Sequence, residues 1–285
     1  MNTPEENLLS KQNLPIGIFD SGVGGLTVYR ALHNRLPNER FVYLGDTARV
    51  PYGTKSLATV ERYALENSVF LASLGIKLLV VACNTASALA LPKIRETIGI
   101  DVVGVIGPGA RMAAKFADKI GVIATEATVS SNAYANSIKL AKTDSEVLQL
   151  ACPLFVPLAE EGWTNEPETR SIAKRYLQKI IDFNPQALVL GCTHYPILSE
   201  VIQETVGQNV KLIDSGVACA EEVAELLIEK HLANQHIIVG KRSLCDDLDH
   251  FYVTDAAYRF AKVAERFLGS KPTKLEDIEL SELKK

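Results

Sequence analysis

The sequence predicts an α/β protein made of two similar lobes with largely parallel sheets. Three observations lead there. Short runs rich in Val, Ile and Leu alternate with helix-length amphipathic tracts along the whole chain. Two stretches about a hundred residues apart, "LLVVACNTASALA" (78–90) and "ALVLGCTHYPILS" (187–199), repeat one pattern: apolar run, single cysteine, polar side chains, helix-like tract. Finally, 285 residues are many for one compact core, which makes two lobes the natural expectation.

The strand candidates, in order, are "IGIF" (16–19), "RFVYLG" (40–45), "KLLVVA" (77–82), "DVVGVI" (101–106), "KIGVIA" (119–124), "ALVLG" (187–191) and "VKLID" (210–214). Continuous rather than alternating apolar runs suit strands covered on both faces, as in parallel sheets. Amphipathic segments at 26–35, 56–73 and 168–183 lie between them, and further helical tracts at 217–232 and 255–268 follow the last. The repeat extends beyond the cysteines. "RETIG" (95–99) and "QETVG" (203–207) each precede a strand, and "PIGIFDSGVGGLTV" (15–28) parallels "KIGVIATEATVSSN" (119–132). Gly and Pro interrupt the pattern in "GVIGPGA" (104–110), which marks the switch between lobes. Residues 270–285 are polar and rich in Lys and Glu, a surface helix or fraying tail.

Composition narrows the function. Hydrophobic residues at 47% with 22% charged describe a folded globular chain. A net charge of −4 and no basic run interleaved with aromatics argue against nucleic-acid binding. No stretch is long and apolar enough to span a bilayer, and "MNTPEENLLSKQNLP" lacks a signal-peptide centre, so it reads as a polar, mobile extension. The five cysteines are odd in number and widely spaced, without a CxxC pair or zinc-ligand spacing. They read as free thiols in a reducing cytoplasm, with no metal site.

Ligand sites in open α/β sheets lie beyond the carboxyl ends of strands. Cys83 and Cys192 both stand there, immediately before a predicted helix, where unpaired N–H groups favour a thiolate or a carboxylate. A lone cysteine in such a place is commonly a small core filler, but matching cysteines in two repeats point to chemistry. Cys152, Cys219 and Cys245 lack that context and read as structural. Asp20 and Ser21 of "DSGVGG" (20–25) project from a strand end, although a turn and helix cap explain Ser21 equally well. Pro51 and Gly53 shape the loop "VPYGTKS" (50–56), either a bare turn or a presenter of backbone N–H groups. His194 alone of the five histidines lies in a motif loop, two residues after Cys192, where it can assist proton transfer. Glu160 and Glu161 end the apolar run "CPLFVPLAEEGW" (152–163); one of them can orient His194, or both can be a solvated pair.

Taken together, "FDSGVGGLTV", "LGDTARVPYG", "VACNTASA", "GVIGPGARMA", "CPLFVPLAEEG" and "LGCTHYP", ordered along residues 15–268, resemble the aspartate/glutamate racemase superfamily, and within it the glutamate racemases. The segments before Asp20 and after Leu268 fall outside these motifs. The resemblance implies two pseudo-symmetric lobes with the active site in the cleft between them. Residues 15–106 plus 214–285 then form the first lobe, 107–213 the second, and 1–14 an extension. It implies a cytoplasmic isomerase that interconverts L- and D-glutamate without a cofactor, supplying the D-isomer for peptidoglycan. By motif position it makes Cys83 and Cys192 the two acid/base thiols, Asp20 the assistant of the first, and His194 that of the second. Ser21, Tyr52, Gly53, Asn84, Thr85 and Thr193 carry over as substrate contacts, with Thr125 and Thr128 as grips for a carboxylate and Glu160 as partner of His194.

The chemistry agrees. Inverting a stereocentre through a planar carbanion needs one base on each face, which facing duplicated lobes supply. By resemblance, Cys192 takes the proton in the L-to-D direction. The extension resembles that of relatives activated by UDP-N-acetylmuramoyl-L-alanine, and homodimers are common among such enzymes. Rival readings are an aspartate racemase or another two-cysteine racemase, a two-lobe amino-acid binding protein, and a cysteine hydrolase. The last leaves the second thiol unexplained.

Overall fold

A computed structural model describes residues 10–236, 240 and 242–280; the rest of the expected N-terminal extension (1–9) and of the tail (281–285) lies outside the described residues. The described residues hold ten strands: β1 Ile16–Asp20, β2 Phe41–Gly45, β3 Leu78–Val81, β4 Asp101–Gly104, β5 Lys119–Ala124, β6 Glu146–Ala151, β7 Ala187–Gly191, β8 Lys211–Asp214, β9 His250–Val253 and β10 Leu275–Asp277. They form a six-stranded sheet in the order β10-β9-β2-β1-β3-β4 and a four-stranded sheet in the order β6-β5-β7-β8. Every pairing is parallel.

The repeat read from the sequence is now visible as topology. The order β2-β1-β3-β4 recurs as β6-β5-β7-β8, so β1 corresponds to β5 and β3 to β7. Continuous apolar runs are explained by burial on both faces. In β3, Leu78 and Val80 join one hydrophobic cluster while Leu79 and Val81 join another. In β7, Leu188 and Leu190 divide from Ala187 and Val189 in the same way. The alternation is that of any strand, with apolar partners waiting on each side.

Three expectations need correction. Residues 105–106 are not strand: "GVIGPGA" opens the helix Ile106–Phe116. Pro108 is its third residue, in the first turn, where a missing N–H removes no intrahelical bond. The tail is neither helix nor loose end at 275–277, because β10 pairs with β9 at the sheet edge. Its charged residues suit an edge strand held by backbone bonds. Residues 10–14 are not a free extension. Gln12 is buried, its Nε2 donates to His231 O at 3.0 Å, and its own carbonyl accepts from Lys77 Nζ at 2.7 Å. That ammonium also donates to Leu232 O (2.9 Å) and pairs with Glu39 Oε2 at 2.5 Å.

After β8 the chain enters the helix Ser215–Glu229, capped by Asp214, whose Oδ1 accepts from Gly216 N at 2.7 Å. This helix packs on both Leu26–Arg35 and Ile106–Phe116.

Candidate active site

The carboxyl ends of β1, β2 and β3 face those of β5, β6 and β7 across a cavity of about 170 Å³. That is below the range of pockets for drug-sized ligands, so the occupant is small. Ser21, Tyr52, Gly53, Cys83, Asn84, Thr85, Thr125, Cys192, Thr193 and His194 all line it. Asp20, Thr128 and Glu160 stand behind this layer. The structure thus gathers the residues singled out from the sequence in one place.

The two thiols sit in unequal settings. Cys83 caps the helix Asn84–Leu89: its Sγ accepts from Ala86 N at 3.5 Å and lies 3.7 Å from Ser21 Oγ. Burial, and next the negative charge of Asp20, push this thiol up to about 12 against those two contacts. Cys192 departs from expectation, because no α-helix follows it directly. The 3₁₀ turn Tyr195–Leu198 intervenes before the helix Ser199–Val206. An α-helix capped by Cys192 would need an N–H from Pro196, which has none; Tyr195 N bonds Cys192 O instead, at 3.1 Å. What replaces the helix terminus is His194, with Nδ1 at 3.8 Å from Cys192 Sγ.

His194 Nε2 in turn meets Glu160 Oε1 at 3.1 Å. Glu160, not Glu161, is therefore its partner: the Glu161 side chain is 64% exposed. Burial alone presses the imidazole down, but the hydrogen bonds to Cys192 and Glu160 outweigh it and raise His194 to about 10. Both ring nitrogens thus face groups that favour the protonated ring, the sulfur of Cys192 on one side and the Glu160 carboxylate on the other. Asp20 is fully buried, its Oδ2 accepting from Gly22 N at 3.0 Å, and burial raises its carboxyl above the ordinary range.

Neutral donors make up much of the remaining wall. The hydroxyls of Thr85, Thr125 and Thr128 form a triangle with edges of 3.0, 3.4 and 3.0 Å. Asn84 Oδ1 accepts from Tyr134 OH at 2.6 Å, leaving Nδ2 a buried donor with no partner among the described residues. Such a group calls for a ligand oxygen. The Tyr52 hydroxyl, by contrast, is turned away and bonds Asp46 and Asn67, so only the rest of the residue faces the cavity. Arg49 is likewise engaged elsewhere, with Asp46, Glu66 and Asn67, and does not line it. Sequence reasoning missed the lip formed by Pro153, Val156 and Pro157. Val156 and Pro157 open the helix Phe155–Glu161 and Pro153 lies in the turn before it, so no single periodicity announced the three together.

Comparisons with known proteins fit this arrangement. The Asp/Glu/hydantoin racemase family profile matches residues 16–223. The chain belongs to that family. Among its relatives, the glutamate racemase of Geobacter metallireducens is 52% identical over 90% of this chain and 93% of its own length. The crystal structure of glutamate racemase from Francisella tularensis in complex with D-glutamate superposes with a TM-score of 0.86. It is 41% identical and covers 94% of this chain and 98% of its own. That of the Escherichia coli glutamate racemase with L-glutamate and the activator UDP-MurNAc-Ala gives a TM-score of 0.74 at 29% identity, over 94% and 99%.

One glycine of this racemase fold has a sharp role. A Cβ on Gly24 would collide with Thr193 Oγ1 and come within 2.5 Å of His194 Cε1 and Nδ1. Gly24→Ala must push the His194 ring off Cys192, and misplacement by about 1 Å costs turnover on the order of a hundredfold. Steady-state kinetics of the folded variant check this; an unchanged kcat would detach His194 placement from that contact.

Proposed function

We infer that this chain is a glutamate racemase, an isomerase that interconverts L- and D-glutamate by two bases and without a cofactor. One observation carries the reading: corresponding strand ends of two repeated sheets, β3 and β7, each deliver a cysteine to the same small cavity. One thiolate removes the α-proton while the opposite thiol protonates the other face, and the roles exchange in reverse. Glutamate's α-proton is far less acidic than a thiol, so the carbanion needs fixed donors in a dry cavity. The Asn84 amide and the threonine hydroxyls supply them, with Ser21 and the backbone at Gly53 completing the grip on the substrate. Asp20 assists Cys83, and the His194–Glu160 pair assists Cys192.

The strand membership supports the division into a first lobe of 15–106 plus 214–285 and a second of 107–213, with substrate held between. Among the described residues no helix is long and apolar enough to cross a membrane. The product, D-glutamate, feeds peptidoglycan synthesis in the cytoplasm. UDP-N-acetylmuramoyl-L-alanine, bound by the E. coli relative, is the proposed activator.

Circular dichroism tests the reading directly. Purified protein, with chelator and no pyridoxal phosphate, should bring L- or D-glutamate to optical zero, act far more slowly on aspartate, and accelerate when the nucleotide is added. Activity lost to chelator and restored by a metal would refute the cofactor-free mechanism.

A further inference from the structure

Behind Cys192 the contacts continue past Glu160. Its Oε2 lies 3.4 Å from Arg259 Nη2, and its backbone carbonyl accepts from Arg266 Nη1 at 2.6 Å. Glu160 belongs to the helix Phe155–Glu161, which follows β6 of the four-stranded sheet. Both arginines belong to the helix Ala257–Leu268, which follows β9 of the six-stranded sheet. The glutamate's partners therefore come from both sheets.

The C-terminal helix is fastened where it stands. Phe260, Val263, Ala264 and Phe267 form its buried stripe, and Phe260 packs on Tyr43 of β2 with ring centroids 5.8 Å apart. Arg30 Nη1 donates to Phe267 O at 2.9 Å. The Phe267 ring meets His194 edge-on at 6.1 Å. Residues seven apart share a helix face two turns apart, so Arg259 and Arg266 flank that stripe on one side. The Glu160 side chain is 20% exposed, which leaves its carboxylate open to solvent on one side. Arg266 fixes the backbone at a helix end whose carbonyls lack intrahelical partners, and Arg259 occupies the second carboxylate oxygen.

We propose that Arg259 and Arg266 are positioning residues for the reaction, holding Glu160 so that His194 serves Cys192 and not Cys83. The proposal rests on the racemase reading. Its signature is asymmetry, because only the proton transfer at Cys192 is hindered when the clamp is lost.

The test measures primary deuterium isotope effects on kcat/KM with α-deuterated L- and D-glutamate, for wild type, Arg266→Ala, Arg266→Lys and Arg259→Ala. Turnover by Arg266→Ala should fall on the order of tenfold, as for loss of one hydrogen bond to a charged group. The isotope effect should rise for the enantiomer deprotonated by Cys192 and fall for the other, where deprotonation by Cys83 ceases to limit. Arg266→Lys should recover most of the wild-type behaviour. Arg259→Ala removes a side chain that is 66% exposed, folds normally, and should shift the two effects in the same opposed sense but less. Isotope effects that stay unchanged or move together, or a lysine variant no better than alanine, would overturn the proposal. A wild-type protein that does not racemise glutamate would instead remove the reading beneath it.

Discussion

With either Cys83 or Cys192 replaced by alanine, racemisation should fall about a hundredfold to ten-thousandfold, the range of a general acid–base group. Each thiol comes from its own sheet, and among the described residues no other thiol lines the cavity. The surviving thiol can still take the α-proton of the enantiomer facing it, but the carbanion then regains a proton only from the side it lost one. In heavy water Cys192→Ala should thus label one enantiomer with retention of configuration, and Cys83→Ala the other. Polarimetry reads the loss of inversion, and proton NMR at the α-carbon reads the exchange. Near-normal racemisation by either folded variant would end the two-base mechanism.

Lys77→Ala should cost about 3–5 kcal/mol of stability, the penalty of stripping one partner from a buried ion pair. The Lys77 side chain is 1% exposed and that of Glu39 4%. Alanine would strand the carboxylate and also release the carbonyls of Gln12 and Leu232. Against a typical total of about 5–15 kcal/mol, this is a large share. Urea unfolding should show a lower midpoint at similar slope. Lys77→Met combined with Glu39→Gln should recover much of the loss. Neither member of the pair then carries a charge, and the introduced amide oxygen can still accept from Asn234 N as Glu39 does at 2.8 Å. A single variant as stable as wild type would show that this clasp contributes nothing.

What the sequence made legible is what burial writes into it. Most strands read in advance are covered on both faces, such as β1 and β3, although the edge strands β4 and β8 were read as well, through the Val, Leu and Ile they retain. β6, β9 and β10 were not read. The first and last are sheet edges, and "EVLQLA" and "LED" contain no fully buried residue. Edge pairing rests on backbone hydrogen bonds that every residue type can make, so it leaves little compositional trace. The same divide runs through the site. The cysteines announced themselves as strand ends, but the choice of Glu160 over Glu161 depends on a helix some hundred residues further along the chain. Likewise the engagement of Arg49 and of the Tyr52 hydroxyl depends on Asp46 and Asn67, brought together only by folding.

The interleaving of the two sheets also fixes an order of assembly during synthesis. β5 to β8 are consecutive in the chain, so the four-stranded sheet is complete once Asp214 has been polymerised. The six-stranded sheet has been waiting since Asp20, and it lacks β9 and β10 until residue 277 has left the ribosome. Domains emerging from the ribosome generally fold from the N-terminus onward; here the half begun first is closed last. A nascent chain stalled between Asp214 and Ala257 already carries both thiols, but not yet the helix that clamps Glu160.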